Sequence, residues 1–570
     1  MRLAVLDKDR CKPRECNYLC QRTCPRVKTG DETIVIDEET KKPVIAEDLC
    51  SGCAICVKKC PLDAITIINL PEEIGEPVHQ YGRNGFRLYN LPTPRDGVIG
   101  IVGANGIGKT TMMRILSGEL KPNLGHRASW DQILERFRGK EIQGYLEKLK
   151  AKEIRAVYKP QYVDAIPKHV NGNMLKVLEK GDEAGRLKKI IAELNLGNSV
   201  DKDIADLSGG ELQRFAIAAC LSKEADMYLL DEPSSYLDVR ERLNVAKAIR
   251  EMHGKYMFVV EHDLIVLDYL SDYVHVIYGK PAAYGVISNI KSVRVGINEY
   301  LDGFLKSENT KFREGIKFEV KAPGEKTDLK EILSYPELTK KYDHFNLKVD
   351  EGKLYAPEVL GILGPNATGK TTFVRMLAGD LAADNAKIEV KKTVSYKPQY
   401  ITQKKVAVRA LKLKPELVQG FNLAHMMDWM VDELSGGQLQ KVAIADCLSK
   451  DADIYLLDEP SAYLDVEERL RLAKYLKKFA MDKGVLILIV EHDILLIDYL
   501  SDELMVFSGV SGISGRASHP VGPRDGMNMF LSEMNITFRR DPETGRPRAN
   551  KTESVKDREQ RNSGEYYYVG

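Results

Sequence analysis

The sequence lacks any long hydrophobic run. Its longest apolar stretches, such as Val485–Val490, are only strand-sized, whereas a membrane-spanning helix needs about 20 consecutive apolar residues. The first residues, Met-Arg-Leu-Ala-Val-Leu-Asp, have no long apolar core of the kind found in secretory signals. Aromatic residues are scarce at 7%, which argues against a stacking platform for single-stranded nucleic acid. We therefore expect a cytoplasmic protein that neither spans nor targets a membrane.

Net charge is almost absent as well, because 84 Lys and Arg residues oppose 83 Asp and Glu residues. The balance hides local clusters. The first 30 residues hold eight basic and three acidic side chains, which indicates an acidic neighbour such as nucleic acid. The length of 570 residues predicts three or four domains rather than one.

An internal repeat organises most of the chain. Four motifs occur twice in the same order, and this pattern indicates a duplicated domain. The first copies are GANGIGKTT at Gly103–Thr111, LSGGELQ from Leu207, LLDEPSSYLD ending at Asp238 and VVEHD ending at Asp263. The second copies are GPNATGKTT at Gly364–Thr372, LSGGQLQ from Leu434, LLDEPSAYLD ending at Asp465 and IVEHD ending at Asp493.

The glycine-rich motifs predict two nucleotide sites. Each follows an apolar strand and opens a helix, which is the context that a P-loop requires. Its backbone N–H groups can face phosphates, while Lys109 and Lys370 reach the outer phosphates and Thr110 and Thr371 coordinate Mg²⁺. The predicted binding residues are Gly103, Asn105, Gly106, Gly108, Lys109, Thr110 and Thr111 in the first copy, and Gly364, Asn366, Gly369, Lys370, Thr371 and Thr372 in the second.

Two further apolar strands end in adjacent carboxylates, Asp231–Glu232 and Asp458–Glu459. Beside a P-loop, the aspartates are suited to holding Mg²⁺ and the glutamates to polarising the attacking water. His262 and His492 end neighbouring strands and can position the terminal phosphate. We therefore predict Glu232, Glu459, His262 and His492 as the catalytic residues. A Ser-His-Asp hydrolase is excluded because the sequence has no nucleophile elbow.

Together with the LSGG signatures, these motifs resemble those of ATP-binding-cassette (ABC) ATPases. The resemblance implies Q-loop glutamines at Gln161 and Gln399, which join the Mg²⁺ site, and D-loop aspartates at Asp238 and Asp465. It also implies two composite sites, in which each P-loop faces the signature of the other half. The signature residues are Ser435 and Gly437 for the Lys109 site, and Ser208 and Gly210 for the Lys370 site, on helices expected to start near Glu211 and Gln438. Candidates for adenine stacking are Tyr81 or Phe86 in the first copy, and Tyr342 or Phe345 in the second.

Eight of the ten cysteines fall within the first 60 residues. Cys50, Cys53, Cys56 and Cys60 have the C-x₂-C-x₂-C-x₃-C-P spacing of bacterial [4Fe–4S] ferredoxins. Because the fourth cysteine of each run ligates the other cluster in such folds, one cluster is predicted to use Cys50, Cys53, Cys56 and Cys24, and the other Cys11, Cys16, Cys20 and Cys60. Zinc is the alternative, but its structural sites usually pair two short hooks across a longer spacer. Cys220 and Cys447 are expected in the core.

The predicted fold class is α/β, with two ABC-type P-loop nucleotide-binding domains arranged head-to-tail and an N-terminal ferredoxin-like (α+β) two-cluster Fe–S domain. An insertion of about 23 residues in the first copy reads as two amphipathic helices around Gly139 or Gly144, serving as a decoration or a docking element for a polyanion. The tail after Phe538 is mixed in charge, which favours partial disorder. The predicted boundaries are 1–75 for the Fe–S domain, 76–290 for the first cassette with its insertion near 127–155, 291–330 for hinge 1, 331–515 for the second cassette, and 516–570 for hinge 2 and the tail.

The whole arrangement resembles the ribosome-recycling ATPase family of archaea and eukaryotes, historically called RNase L inhibitor. The resemblance implies that ATP closes the twin cassettes and drives the Fe–S domain against the ribosomal subunit interface. It implies the small subunit with its rRNA, and a class-I release factor or Pelota, as partners of a monomer with an intramolecular cassette dimer. The two ATP sites are expected to be unequal, because only one signature carries a glutamate.

Other classes of protein fit less well. A transporter subunit gives no role to the eight cysteines, and a cohesin-like ATPase would separate its P-loop from its signature by a long coiled coil. An ATP-dependent Fe–S electron-transfer enzyme, or another soluble ABC ATPase that does not act on ribosomes, remains the alternative.

Overall fold

The computed structural model describes residues 2–69, 75–252, 254–316, 318, 329–388, 392–402 and 404–568. The chain forms two compact units. Unit 1 comprises Met1–Ser235, Lys247–His262 and Leu270–Gly315, and unit 2 comprises Tyr236–Ala246, Asp263–Tyr269 and Ile316–Gly570. Two short segments of the first cassette, 236–246 and 263–269, therefore belong to unit 2.

The amino-terminal domain of unit 1 consists of two small antiparallel sheets and short helices that carry the cysteines. Strand β1 pairs with β4, and β2 pairs with β3. Its core is small, and the cysteines themselves contribute to it. The elements are β1 Arg2–Leu6, α1 Pro13–Cys16, α2 Leu19–Thr23, α3 Pro25–Lys28, β2 Ile34–Ile36, β3 Pro43–Ile45, α4 Ile55–Lys59 and β4 Ile65–Asn69.

A nine-stranded sheet forms the centre of unit 1. The order is β5-β6-β12-β11-β7-β10-β9-β8, with β13 beside β11. Strands β7, β10, β9 and β8 run parallel, and their near-continuous apolar sequences suit a sheet that is covered on both faces. The strands are β5 His79–Gln80, β6 Arg87–Tyr89, β7 Gly97–Val102, β8 Ala156–Lys159, β9 Met227–Asp231, β10 Tyr256–Val260, β11 Tyr273–Lys280, β12 Tyr284–Ile287 and β13 Lys291–Ser292.

Helices follow these strands and place the nucleotide motifs at the carboxyl ends of the parallel strands. A two-stranded ribbon of β14 Phe304–Leu305 and β15 Thr310–Lys311 lies near the end of unit 1. The helices of the first-cassette sequence are α5 Lys109–Leu116, α6 Trp130–Arg136, α7 Gln143–Lys150, α8 Ile166–His169, α9 Met174–Gly181, α10 Leu187–Glu193, α11 Gly209–Leu221, α12 Val239–Arg250, α13 Leu264–Leu270 and α14 Val293–Asp302.

Unit 2 repeats this plan with an eight-stranded sheet in the order β17-β18-β25-β24-β20-β23-β22-β21, and β16 pairs separately with β19. Its strands are β16 Lys330–Tyr335, β17 Leu338–Lys341, β18 Asn346–Val349, β19 Gly352–Ala356, β20 Glu358–Leu363, β21 Val394–Lys397, β22 Ile454–Asp458, β23 Leu486–Val490, β24 Glu503–Val510 and β25 Ser514–Ala517. Its helices to this point are α15 Lys370–Ala378, α16 Pro415–Gly420, α17 Gly436–Ser449, α18 Val466–Lys483 and α19 Ile494–Leu500.

The insertion in the first cassette forms the two predicted helices, α6 and α7. The turn between them contains Gly139, which has a positive φ of 74°, whereas Gly144 lies inside α7. Ile133 and Leu146 are buried against the main core of unit 1. The insertion is therefore packed on the cassette and leaves its charged side chains outside.

Within the two predicted hinges, RVGINEYL at Arg294–Leu301 recurs as RDGMNMFL at Arg524–Leu531, and both copies are helices. They are α14 and α20, the latter spanning Pro523–Met534. Gly296 and Gly526 occupy the same position in the two copies, and a Cβ at either would come within about 3 Å of a strand side chain, Val274 or Leu504. The repeated glycine thus permits each helix to lie close against the sheet.

The expected partial disorder after Phe538 is wrong. This part of the chain forms a three-stranded sheet in the order β27-β26-β28, together with a helix. Several of its charges are buried and paired rather than solvated; Arg546, which pairs with Asp268, is fully buried. The elements are β26 Phe538–Arg540, β27 Pro547–Ala549, α21 Val555–Ser563 and β28 Tyr567–Tyr568. We call residues 536–568 the C-terminal lobe.

Candidate functional site

The first P-loop lies between β7 and α5, as its sequence predicts. Gly108 has a φ of 97°, and a Cβ there would come within 2.6 Å of the Phe86 ring, so only glycine suits this position. The Lys109 ammonium is 2.8 Å from the Gly103 carbonyl oxygen and 3.0 Å from His262 Nε2. The loop therefore folds around a buried cation at the start of a helix, an arrangement that favours phosphate.

Glu232 is the centre of a polar cluster at the carboxyl end of β9. Gln161 Nε2 donates to its Oε1 over 2.6 Å, His262 Nε2 lies 3.3 Å from the same oxygen, and Ser235 Oγ donates to Oε2. Burial alone would raise the pKa of Glu232, but His262, Lys109 and Ser235 stabilise the carboxylate and lower that pKa to about 2. The glutamate is therefore ionised at neutral pH and can accept a hydrogen bond from water.

Asp231 lies beside Glu232 and accepts a hydrogen bond from Tyr158 OH over 3.0 Å. Burial and the neighbouring Glu232 charge raise its pKa. A buried carboxylate that is disfavoured as an anion in this way is a natural ligand for a divalent cation. Thr110, another predicted Mg²⁺ ligand of this copy, is exposed at the first turn of α5.

The second copy has the same construction within unit 2. Lys370 donates to the Gly364 and Pro365 carbonyl oxygens, and Thr371 Oγ1 donates to Asp458 Oδ2 over 2.8 Å. Gln399 Nε2 donates to Glu459 Oε1 over 2.8 Å, and His492 Nε2 is 3.4 Å from that oxygen. Burial would raise the pKa of Glu459, but His492, Gln399 and Lys370 lower it to about 2.

The signature serines cap helices. Helices α11 and α17 begin at Gly209 and Gly436, two residues before the predicted starts, because Ser208 and Ser435 act as N-caps. The two copies differ at the third helical position. Ser208 donates through both N and Oγ to the Glu211 carboxylate, whereas Ser435 donates through its backbone N–H to the Gln438 amide oxygen. The predicted difference between the signatures thus has a structural counterpart.

The first D-loop reaches the second P-loop inside unit 2. The backbone N–H of Asn366 donates to Asp238 Oδ2 over 3.0 Å. Asp238 also accepts from the backbone N–H of Glu241 and so caps α12. In the second copy, Asp465 caps α18 in the same way through Glu468 N–H. The structure therefore brings Asp238 and the Lys370 loop together.

The aromatic candidates for adenine stacking occupy two kinds of position. Phe86 and Phe345 are half-buried beneath Gly108 and Gly369 of the P-loops. Tyr81 and Tyr342 are exposed nearby, and Tyr81 OH lies 3.2 Å from Thr111 Oγ1. The choice within each pair stays a prediction.

The eight amino-terminal cysteines form two tetrads, each around a cavity. Cys11, Cys16, Cys20 and Cys60 line the first cavity, and Cys24, Cys50, Cys53 and Cys56 line the second. The fourth cysteine of each run thus joins the other run, as the sequence predicts. Among the described residues, no three His, Cys, Asp or Glu side chains converge closely enough to hold a metal ion. An open cavity ringed by four thiols instead fits a cluster of several atoms.

The sequence did not reveal how the cysteine domain is attached to the first cassette. Asn84, with a positive φ of 56°, donates through Nδ2 to the carbonyl oxygens of Ala4 and Ile45 and accepts from Ile45 N–H. Arg87, buried beside it, pairs with Glu47 over 2.6 Å. Asn84 lies between Tyr81 and Phe86, so the segment that carries the adenine candidates also holds the cysteine domain.

A second feature missed from the sequence is a buried lysine behind each glutamate that is predicted to be catalytic. Lys159 and Lys397 end β8 and β21 and donate to backbone carbonyl oxygens at the Asp-Glu pairs. The available signal was the repeated segment YKPQY, at 158–162 and 396–400.

Two P-loop cassettes with Asp-Glu strands and serine-capped signatures, joined to a domain with two cysteine tetrads, define an ABC-type ATPase with an iron–sulfur domain. Family models agree: the ABC transporter model matches residues 87–235 and 347–462, a possible Fer4-like domain of RNase L inhibitor matches 1–32, and the 4Fe-4S binding domain matches 43–66. The cassettes bind ATP with Mg²⁺, and the amino-terminal domain binds [4Fe–4S] clusters. Within the described residues, no helix has the length and hydrophobicity to cross a membrane.

Known proteins match over the whole chain. An uncharacterised ABC transporter ATP-binding protein of Methanocaldococcus jannaschii is 53% identical over 100% of this chain and 98% of its own length. A structure of ribosome-bound archaeal Pelota and ABCE1 matches with a TM-score of 0.94 and 51% identity, covering 100% and 99% of the two chains. A complex of archaeal ribosomal stalk protein aP1 with the ribosome recycling factor aABCE1 matches with a TM-score of 0.83 and 52% identity, covering 88% and 100%. The chain belongs to the ABCE1 family, also called the RNase L inhibitor family.

Replacing Cys53 with serine is expected to remove one cluster and leave the other. Iron should fall from about eight to about four atoms per chain, because each cluster holds four irons and only one tetrad is broken. Nucleotide binding should persist, since the P-loops lie elsewhere. Iron analysis with nucleotide titration measures both effects. Cys220→Ala, at a buried cysteine remote from both tetrads, is the control; unchanged iron in Cys53→Ser would contradict the ligand assignment.

Proposed function

We propose that this chain is an ATP-driven ribosome-recycling factor, which splits ribosomes into subunits after termination or rescue. ATP-dependent closure of the twin cassettes moves the Fe–S domain against the subunit interface. The partners are the small subunit with its rRNA, and a class-I release factor or Pelota in the ribosomal A site. The protein works in the cytoplasm as a monomer whose two cassettes pair within one chain.

One observation carries this proposal. The cysteine domain is fastened through Asn84 to the short segment between Tyr81 and Phe86, and Phe86 packs beneath the first P-loop. A change at the first nucleotide site therefore has a direct physical route to the Fe–S domain. This attachment supports a mechanical role for that domain. Bound clusters would serve that role by stabilising the small core of the domain.

The catalytic roles follow from the chemistry of the two sites. Lys109 and Lys370 neutralise charge on the outer phosphates, and Glu232 and Glu459 accept a proton from the attacking water. His262 and His492 hold the terminal phosphate and orient these glutamates. The predicted ligands of Mg²⁺ are Thr110, Thr371, Gln161 and Gln399, with Asp231 and Asp458 beside them, and bound Mg²⁺ would neutralise charge on the phosphate oxygens.

Each composite site is completed by the signature of the other half. Ser208 with Gly210, and Ser435 with Gly437, start helices whose N-termini attract the γ-phosphate. The contact from Asp238 to the Asn366 N–H supports the pairing at the Lys370 site. ATP then holds the halves together, and hydrolysis releases them.

Sedimentation with small ribosomal subunits tests the proposed function. With a non-hydrolysable ATP analogue, the chain is expected to migrate with the small subunit in a sucrose gradient; with ADP it should stay near the top. A P-loop variant, Lys109→Ala with Lys370→Ala, is the control because it should bind neither nucleotide productively. Absence from the small-subunit fraction in the presence of the analogue would overturn the proposal.

A further inference from the structure

A lysine is buried directly behind the glutamate of the first ATP site. Lys159, at the end of β8, is only 1% exposed. Its Nζ donates to the Asp231 carbonyl oxygen over 2.9 Å and to the Glu232 carbonyl oxygen over 3.3 Å. Burying a lysine is costly unless the ammonium does something specific, since its desolvation must be offset by strong partners.

A glutamine on a helix also donates to the Glu232 carbonyl oxygen. Gln213 of α11 is fully buried, and its Nε2 donates to the Glu232 carbonyl oxygen over 2.8 Å. On the other side of the residue, the Glu232 N–H donates to the Val260 carbonyl oxygen over 2.9 Å. Both peptide groups around Glu232 are therefore fixed by elements outside its own strand.

The backbone held in this way is unusual. Glu232 has a φ of 46°, in the left-handed region that is strained for a non-glycine residue. Without external hydrogen bonds, the peptide after Glu232 would relax toward an ordinary conformation. The Cα–Cβ direction would then change, and the carboxylate would leave the position shared with Gln161 and His262.

The second copy repeats every part of this arrangement in unit 2. Lys397, also 1% exposed, donates to the carbonyl oxygens of Asp458 and Glu459 over 2.7 and 3.3 Å. Gln440 of α17 donates to the Glu459 carbonyl oxygen over 2.6 Å, and Glu459 has the same φ of 46°.

We propose that Lys159 and Lys397, each with its glutamine partner Gln213 or Gln440, are positioning residues that hold the two glutamates in the left-handed conformation required for water activation. The inference rests on the proposed function, because it assumes that Glu232 and Glu459 polarise the attacking water. Each glutamine lies three residues after the last glycine of its LSGG signature. The same hydrogen bonds therefore tie each signature helix to the glutamate of its own cassette.

The direct test replaces both lysines in the full-length chain with loaded clusters, as Lys159→Met with Lys397→Met. Methionine fills similar volume but cannot donate a hydrogen bond. Because a displacement of about 1 Å can cost about 100-fold in rate, kcat for ATP hydrolysis is expected to fall by about 10- to 100-fold. KM and the Kd for ATP should stay within about twofold, since neither lysine contacts the P-loop lysine or the loop carbonyls.

Two further measurements separate positioning from simple loss of stability. Gln213→Leu with Gln440→Leu removes the second donor and keeps the lysine, and should give a smaller loss of kcat at unchanged KM. In a background with Glu232→Gln and Glu459→Gln, adding the lysine substitutions should lower turnover no further, because the group they position is already lost. Met227→Ala, at the opposite end of β9 in the same core, should lower the melting temperature without lowering kcat.

The outcomes distinguish this inference from the proposed function. If the glutamate variants lose turnover while both the lysine and the glutamine variants keep the wild-type kcat, the proposed positioning role is wrong and the catalytic assignment stands. If the glutamate variants themselves hydrolyse ATP at the wild-type rate, the proposed function of the site fails first. The lysines would be ordinary core residues rather than positioning residues in either of two cases. In the first, the loss of kcat from the lysine substitutions adds fully to the loss from the glutamate substitutions. In the second, Met227→Ala gives the same loss of kcat.

Discussion

Replacing both glutamates, as Glu232→Gln with Glu459→Gln, is expected to lower the ATP turnover number by about 100- to 10,000-fold, the range for loss of a general base. Glutamine keeps the shape of the side chain and its hydrogen bonding to the neighbouring amide and imidazole, but it cannot accept the proton of water. ATP should still bind and remain intact in the closed cassettes. Phosphate release at saturating ATP, with filter retention of radiolabelled ATP, measures the two effects separately.

An exposed glutamate provides the control for this experiment. Glu135 lies on the insertion with most of its side chain in solvent, and Glu135→Gln should hydrolyse ATP at the wild-type rate. The single variants Glu232→Gln and Glu459→Gln report the inequality of the two sites. Turnover at the wild-type rate in the double variant would show that the carboxylates are not the catalytic bases.

Replacing Asp268 with alanine is expected to lower the free energy of unfolding strongly. Asp268 lies on α13, and its carboxylate accepts from Arg546 Nη1, Arg548 Nε and Arg548 Nη2 over 2.7–2.9 Å. Arg546 is fully buried, so the substitution leaves a cation in the interior without its carboxylate. Breaking one side of a buried pair costs about 3–5 kcal/mol, which should appear as a lower midpoint in thermal unfolding of the full chain.

The matched control is a carboxylate on the surface. Asp131 pairs with Lys150 over 2.7 Å, but its side chain is 85% exposed, and Asp131→Ala should leave the unfolding midpoint unchanged because solvent already screens the pair. If Asp268→Ala unfolds at the same temperature as the wild-type protein, the ion pairs between Asp268 and the C-terminal lobe contribute nothing to stability. Asp498, 230 residues later on α19, pairs with Arg540 of the same lobe over 2.8 Å and should behave like Asp268.

The sequence was most informative where a motif fixes local geometry. The P-loops, the Asp-Glu strand ends and the crossed cysteine tetrads lie as predicted, because in each case the spacing of a few residues determines which atoms can meet. The signature helices begin two residues before their predicted starts for a local reason as well. The signature serine, predicted as a phosphate ligand, is also the N-cap of the helix.

What the sequence did not reveal depends on backbone conformation or on distant parts of the chain. The left-handed φ at Glu232 leaves no mark in composition or periodicity. The repeated YKPQY segment therefore does not by itself reveal that Lys159 hydrogen-bonds to the backbone there. Arg546 and Asp268 are 278 residues apart, and mixed charges in the C-terminal lobe resemble a solvated tail until their partners are known. Asn84 has the sequence context of an ordinary turn residue, although its side chain donates to the Ala4 and Ile45 carbonyl oxygens of the cysteine domain.

The proposed recycling function is best tested by measuring ribosome splitting. Ribosomes stalled with Pelota or a class-I release factor would be incubated with the chain and ATP, and the subunits resolved on a sucrose gradient. We expect free subunits with the wild-type protein and ATP. We expect intact ribosomes when Cys53→Ser removes a cluster from the Fe–S domain while ATP still binds. Intact ribosomes with the wild-type protein, or full splitting by the Cys53→Ser chain, would contradict the proposed function.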